Sequence, residues 1–225
     1  MSQPLLRFFC FLSLMCMGLF AQSVPRNKAA VPLIADLVTT HTTFLGDGNR
    51  LDKQVMARYY RDGQGRSRLD QGNTTTISDG VNNIVVILDV VQHTARRIRL
   101  PKDGLRTQQP NSAGPSTHER AHLGWETIDG IPTVGKEFVS VIPAGSSLGN
   151  AKPIEKVTQV WQSEELSLPV LVKIIDPVAG NLTTQYKNIQ HDTSINPKLF
   201  EIPPDFQVRE ETAVRPPSAG KLSIP

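Results

Sequence analysis

Cysteine is nearly absent from this chain of 225 residues, which contains only two. Cys10 and Cys16 both fall in an apolar N-terminal segment that we expect to be removed. The remaining chain then has no thiol, which excludes a disulfide, a thiolate metal site and cysteine catalysis. Charge of one sign is also scarce, since 24 Lys and Arg oppose 21 Asp and Glu. No nucleic acid partner is expected, because such partners usually require a strongly basic surface.

Long hydrophobic runs are scarce too, and the one present is short. Arg7 precedes thirteen uncharged residues, Phe8 to Phe20, and residues 21–23 (AQS) supply small side chains for cleavage. A membrane helix needs about 20 apolar residues, so this run is typical of a signal peptide. We expect cleavage after Ser23, with cleavage after Ala21 and a retained anchor as alternatives. Residues 24–30 follow as a linker, with no transmembrane span in the mature chain and a periplasmic or extracellular location.

Helical periodicity is the fourth feature that is missing. No stretch of twelve or more residues has a clean 3.6-residue period. Instead, segments rich in Val, Ile and Thr alternate with five Asp-Gly pairs, and Asp-Gly suits the tight turns of antiparallel hairpins. The sequence therefore predicts a mainly β fold with few or no helices. Its single antiparallel meander sheet would have about ten strands and be strongly curled, because so many strands do not stay flat.

Two segments do not fit this pattern. Residues 102–121 are polar, with Pro and Gly, and predict a mobile loop inside one β domain that spans residues 31–208. Residues 209–225 contain three prolines and few apolar residues, and predict a disordered tail.

The sharpest chemical motif is H-E-x-x-H at residues 118–122. On a helix, His118 and His122 would bind zinc from one face, and Glu119 would act as general base on the metal-bound water. At most two helical turns fit between Pro115 and Gly124, and no third ligand has a signature spacing. We interpret the motif as the polar end of a loop and keep a zinc site as the alternative.

A basic cluster lies within residues 94–100 (TARRIRL), which predict a strand. Arg97 and Arg99 share one face of a strand, which favours either an anion patch or a solvated face that prevents edge pairing. No phosphate-binding glycine loop and no G-x-S-x-G motif is present. Trp125 and Trp161 are interpreted as residues of the core or of a cavity wall.

The C-terminal half contains a series of motifs that resembles a known family. Residues 161–166 (WQSEEL), 168–173 (LPVLVK) and 197–204 (PKLFEIPP) are similar to the closing strands of the LolA-like (lipoprotein-carrier) superfamily. Residues 60–68 (YRDGQGRSR) and 95–101 (ARRIRLP) resemble secreted, uncharacterised bacterial proteins of the same plan. The resemblance implies an open half-barrel sheet around an apolar groove, which in the carriers takes acyl chains of lipoproteins. It carries over no catalytic residue.

These observations together predict an exported, non-enzymatic envelope protein that works as a monomer without a cofactor. Its partner would be a hydrophobic or lipid-like ligand, held in a groove lined by Trp125, Phe138, Trp161 and Tyr186. One alternative is a zinc-dependent hydrolase using His118, Glu119 and His122. Another is a structural envelope module that binds a protein partner.

Overall fold

A computed structural model describes residues 30–101 and 116–213, and almost all of its regular structure is β. The strands are β1 (Leu33–Phe44), β2 (Arg50–Arg61), β3 (Ser67–Gln71), β4 (Thr74–Asp79), β5 (Ile84–Asp89), β6 (Thr94–Arg99), β7 (Ser116–Ile128), β8 (Ile131–Ile142), β9 (Ile154–Ser163), β10 (Leu168–Ile175), β11 (Asn181–His191) and β12 (Gln207–Thr212). One 3-10 helix, Pro197–Phe200, is the only helix in the described part of the chain. None of the described residues forms a helix long and apolar enough to cross a membrane.

All twelve strands belong to one open sheet, in the order β12-β6-β5-β4-β3-β2-β1-β11-β10-β9-β8-β7. Hairpins connect β1 through β6 as one meander and β7 through β11 as another. The two meanders meet where β1 pairs with β11, and β12 then returns to pair parallel with β6. The prediction of a mainly β sheet with few helices is confirmed. The sheet has twelve strands rather than about ten. Two antiparallel meanders and one parallel pair replace the predicted single meander.

The two strands that the sequence reasoning missed have few apolar side chains. β4 reads TTTISD, with Ile77 as its single aliphatic residue, and β12 reads QVREET, with Val208 as its single aliphatic residue. Both are held by pairing with a neighbour rather than by an apolar run of their own. Strand formation in such segments depends on tertiary context, which local patterns do not show.

Two predicted boundaries change as a result. Residues 209–212, expected in a disordered tail, lie in β12, and residues 116–121, expected in a mobile loop, begin β7. The predicted signal peptide, residues 24–29 of the predicted linker, residues 102–115 of the predicted loop and residues 214–225 of the predicted tail lie outside the described residues.

One predicted hairpin turn has the geometry that the sequence indicated. Asp129 and Gly130 join β7 to β8, with φ angles of 51° and 77°. A two-residue turn with positive φ at both positions matches the right-handed twist of paired strands, and Asp-Gly adopts it at low cost.

The buried side chains form two clusters at different parts of the sheet. The larger lies at the end where β1 begins and β11 ends, and includes Leu33, Leu37, Tyr59, Leu166 and Tyr186. The smaller lies over β4 to β6, where Phe200 of the 3-10 helix packs against Ile77, Val86, Leu88 and Ala95.

Two hydrogen bonds show that the sheet curls at the end that holds the larger cluster. Arg61 Nη2 of β2 donates to the Leu166 carbonyl of the β9–β10 turn at 2.7 Å. The Ile189 amide of β11 donates to Asp129 Oδ2 of the β7–β8 turn at 2.8 Å. Each bond joins elements three strands apart in the sheet order, and a flat sheet keeps such strands about 14 Å apart.

Strand register defines which side chains share a face, because residues directly opposite one another point to the same side of a sheet. Gly135, Trp161, Leu171 and Gln185 are successive partners across β8, β9, β10 and β11. Tyr186 follows Gln185 directly and therefore points the other way. We call the two sides of the sheet the Trp161 face and the Tyr186 face.

Candidate ligand-binding face

The H-E-x-x-H motif lies in strand β7 rather than on a helix. His118 pairs with Val139, which is on the Trp161 face, whereas His122 pairs with Lys136, which is on the Tyr186 face. A bulge at Arg120 causes this reversal, since the extra residue shifts the alternation of side chains by one position. The helical arrangement that the zinc alternative requires is therefore absent, and the two imidazoles point to opposite sides of the sheet.

The acidic residue of the motif already contacts two neighbouring side chains. Glu119 Oε1 lies 3.0 Å from His122 Nε2, and Glu119 Oε2 lies 3.2 Å from Lys136 Nζ. All three side chains are on the Tyr186 face. Within residues 30–101 and 116–213, no three His, Cys, Asp or Glu side chains are grouped so that they could hold a metal ion.

A second charged network lies on the Trp161 face. The nearly buried Glu137 accepts from Arg120 Nε at 2.7 Å and from Gln159 Nε2 at 2.8 Å. These two donors hold the pKa of the Glu137 carboxyl below its usual range, with the Arg120 bond as the larger cause. The network satisfies the charge of Glu137 and leaves it ill-suited to take a proton during a reaction.

Trp161 is a buried packing residue on the Trp161 face. Its side chain lies across Gly135, and the Lys173 ammonium sits 4.9 Å from the centre of its ring. A Cβ at Gly135 would be only 2.9 Å from Trp161 Nε1 and 2.8 Å from Leu123 Cβ. Glycine at this position therefore makes room for the indole, which is only 7% exposed.

Tyr186 is buried on the opposite face, although Tyr186 and Trp161 both belong to the larger core cluster. Its ring meets Tyr59 edge to face, with centroids 5.2 Å apart. Burial raises the pKa of the Tyr186 phenol well above its usual value, and nearby Tyr59 adds to the shift. Tyr186 thus marks the place where the Tyr186 face meets the larger core cluster.

The other two predicted groove residues share this face but lie in different surroundings. Phe138 is half-buried in β8, whereas Trp125 in β7 is 76% exposed. The structure therefore does not bring Trp125, Phe138, Trp161 and Tyr186 together along one groove. A role for any of the four in ligand binding stays a prediction.

The Tyr186 face also carries apolar side chains that the sequence reasoning did not single out. Register places them in two adjacent rows across β8, β9, β10, β11 and β2, and all but Val160 are half-buried. We call this set the apolar patch: Val55, Phe138, Val160, Val172, Ile174 and Leu182. The sequence of residues 168–175 (LPVLVKII) indicates an apolar strand face, but only the strand pairing shows which side chains of neighbouring strands lie beside it.

The predicted anion patch is largely neutralised within the protein. Arg97 Nη1 donates to Glu210 Oε1 of β12 at 2.8 Å. Arg99 is exposed, and its backbone carbonyl accepts from the Ala213 amide at 3.0 Å. Because β12 covers β6, these arginines do not protect a free sheet edge. A binding role for Arg97 and Arg99 stays a prediction.

Comparisons with known proteins concern the fold alone. No family model and no curated protein matches the sequence. The fold is similar to an uncharacterised conserved protein from Thermus thermophilus, at 11% identity and a TM-score of 0.48, over 88% of this chain and 99% of that chain. A LolA superfamily protein from Nitrosomonas europaea matches at 11% identity and a TM-score of 0.36, over 78% of this chain and 92% of that chain.

MucB, in a crystal structure with MucA(peri), matches at 11% identity and a TM-score of 0.44. The alignment covers 80% of this chain and only 57% of that chain, so this chain spans little more than half of that protein's length. A LolA superfamily protein is thus among the structures that this fold resembles, as the motifs predicted.

Proposed function

We propose that this chain is an exported, non-enzymatic binding protein that holds the apolar part of a lipid-like ligand against the Tyr186 face. The observation that carries the proposal is the apolar patch. Its side chains lie on one face of an open sheet, and no helix of the described residues packs over them. The proposed function requires no metal and no cofactor, and a monomer suffices for it.

The dimensions of the patch suit an extended hydrocarbon chain. It runs across six neighbouring strands, β8, β9, β10, β11, β1 and β2, which at about 4.8 Å per strand gives a row about 24 Å long. In the row that contains Val172 and Val55, the residues of β11 and β1 are Thr184 and Thr39. Their hydroxyl groups form a hydrogen bond of 3.3 Å. Covering such a surface contributes roughly 0.8 kcal/mol for each buried methylene group.

The surroundings of the patch also fit a ligand with one polar end. Beyond Thr39 and Thr184, the next residues on this face are Leu37 and Tyr186, which are buried in the larger core cluster. Beside Phe138, the ionic pair of Glu119 and Lys136 borders the patch on the same face, together with the imidazole of His122. A polar headgroup there would meet charged partners, while its chain lies on the aliphatic rows.

The proposal is tested with the untagged chain of residues 24–225 and cis-parinaric acid, whose fluorescence rises in apolar sites. We expect saturable binding that Leu182→Asp weakens by about tenfold or more, because it places a charge inside the patch. Thr183→Asp is the matched control, since it changes the next residue of β11 on the opposite face. Equal affinity of both variants, with unchanged circular dichroism, would contradict the proposal.

Two further measurements separate the alternatives. Mass spectrometry of the purified chain is expected to find a co-purified lipid that is depleted in the Leu182→Asp variant. Stoichiometric zinc that disappears in a His118→Ala variant would instead support the hydrolase and overturn the proposed function.

A further inference from the structure

Strand β12 joins the sheet in a manner unlike any other strand. It is the one parallel partner among the described strands, and it pairs with β6 from Gln207 opposite Thr94 to Thr212 opposite Arg99. Its two ends are tied by backbone bonds, from the Gln207 amide to the His93 carbonyl and from the Ala213 amide to the Arg99 carbonyl. The edge of β6 is therefore filled by the C-terminal part of the chain itself.

The side-chain contacts of β12 are ionic. Arg96 donates two hydrogen bonds to Glu211, from Nε to Oε1 at 3.0 Å and from Nη2 to Oε2 at 2.8 Å. Arg97 Nη1 reaches Glu210 Oε1 at 2.8 Å. Because successive side chains alternate, Arg96 and Arg97 clamp the two glutamates from opposite faces of the sheet. Two adjacent carboxylates on an extended backbone are thus paired with Arg96 and Arg97 at this edge.

Apolar anchoring ends just before β12 begins. Phe200 is buried in the smaller core cluster, and Leu199 and Phe206 pack against that cluster. In β12 itself every side chain is exposed except Glu211, which is half-buried. A segment held by backbone pairing and exposed ion pairs belongs to the part of a protein that opens most easily. Residues 207–212 can therefore leave the edge while the segment before them stays packed.

We propose that the edge of β6 is a recognition site for extended, acidic segments of a partner protein, and that β12 is the chain's own occupant of that site. A partner strand would add parallel to β6, with adjacent carboxylates against Arg96 and Arg97. The exposed guanidinium of Arg99 lies next along the edge and extends the basic surface. Main-chain pairing supplies affinity in this mode of binding, and the arginine clamp supplies selectivity.

The test uses the full mature chain and a fluorescent peptide that copies residues 205–213 (DFQVREETA). Glu210→Lys/Glu211→Lys places lysines against the arginines and releases β12 from the edge. We expect this variant to bind the peptide at least about tenfold tighter than the natural chain, because the natural chain must first vacate the site. Glu164→Lys/Glu165→Lys is the matched control, with the same charge change at two exposed glutamates of the β9–β10 turn.

The peptide sequence distinguishes an acidic partner from a second copy of this chain. A peptide with alanine at every position except the two glutamates is expected to bind, and a peptide with lysine in place of both glutamates is not. Binding should weaken as salt is raised, since exposed charges are screened. Binding of the native peptide alone would indicate exchange of β12 between copies and would overturn the proposal.

Hydrogen exchange of the natural chain gives a readout that needs no variant. The amides that link β6 with β12 are expected to exchange at least about tenfold faster than those that link β6 with β5. Equal protection of both sets would show that β12 is an integral strand, and the proposal would fail.

Discussion

At the residue scale, Asn188 combines a backbone role with an electrostatic role. It sits at a bulge of β11 with φ of 52°, in the left-handed region that favours Gly and Asn. Its side chain donates to Asp36 Oδ2 at 2.7 Å, while Arg58 Nη1 reaches Asp36 Oδ1 at 2.6 Å. These bonds, that of Asn188 first, hold the pKa of the Asp36 carboxyl below its ordinary value of 3.8.

This arrangement predicts an ordered effect of two substitutions. Asn188→Gly keeps the backbone conformation and loses the bond to Asp36, which should lower the free energy of unfolding by about 1 kcal/mol. Asn188→Ala should lower it by about a further 1 kcal/mol, because alanine disfavours positive φ. Urea unfolding at neutral pH measures both values, and an alanine variant as stable as the glycine variant would contradict the backbone role.

The same pair predicts a pH dependence. Because the pKa of Asp36 is lowered in the folded state, its contribution is present above the unfolded value and is lost as the pH falls through the folded value. The difference in unfolding free energy between the natural chain and Asn188→Gly should therefore shrink from pH 7 towards about pH 3. A difference that stays constant over this range would show that the hydrogen bond does not act on the charged carboxylate.

At the scale of elements, β7, β8 and β9 fit together because one residue has no side chain. Gly135 faces Gly124 on one side and Trp161 on the other, and Leu123 is the extra residue of a bulge in β7. The bulge brings Leu123 over Gly135 from one side as the indole covers it from the other. Three strands therefore meet at a position that leaves no room for a Cβ atom.

A methyl group at Gly135 should disturb this contact. We expect Gly135→Ala to lower the free energy of unfolding by about 1–3 kcal/mol, since Trp161 and Leu123 must both move. Gly80→Ala is the control, because a Cβ there meets no atom within 4 Å. Urea unfolding followed by tryptophan fluorescence gives the two values, and equal stability of the variants would contradict the proposed packing.

At the scale of the whole molecule, the pairing of β1 with β11 joins two meanders that are each local in sequence. Leu33 lies opposite His191 and Thr42 lies opposite Asn181, so this pairing closes a loop of well over a hundred residues. Leu37 is buried at the junction, between Ala57 of β2 and Tyr186 of β11. The larger core cluster draws on both meanders, which makes their stabilities interdependent.

This dependence predicts that a cavity at the junction affects both meanders equally. Leu37→Ala should lower the free energy of unfolding by about 2–5 kcal/mol, the usual range for a buried leucine. Far-ultraviolet circular dichroism and the fluorescence of the two tryptophans should shift to the same lower urea midpoint. Val81→Ala, at a side chain 74% exposed, should change stability by less than about 0.5 kcal/mol. Separate midpoints for the two probes would show that the meanders unfold independently.

Much of the fold was predictable from local signals. Asp129-Gly130 forms the tight turn that its sequence indicated, and apolar runs such as residues 84–89 form strands as expected. β4 and β12 were missed because threonine and charged residues become strand only when a neighbour pairs with them. The candidate site was less predictable, since one extra residue in β7 decides which way His122 points.

The sequence alone determined the composition of the elements: a chain of β hairpins with no long helix, no thiol after residue 16 and a C-terminal half with LolA-like motifs. Tertiary structure alone decided that β1 meets β11, that β12 fills the edge of β6, and that the apolar patch gathers on the Tyr186 face. The reason is physical. Turns and alternation depend on residues a few positions apart, whereas register and facing depend on bonds between strands far apart in the chain.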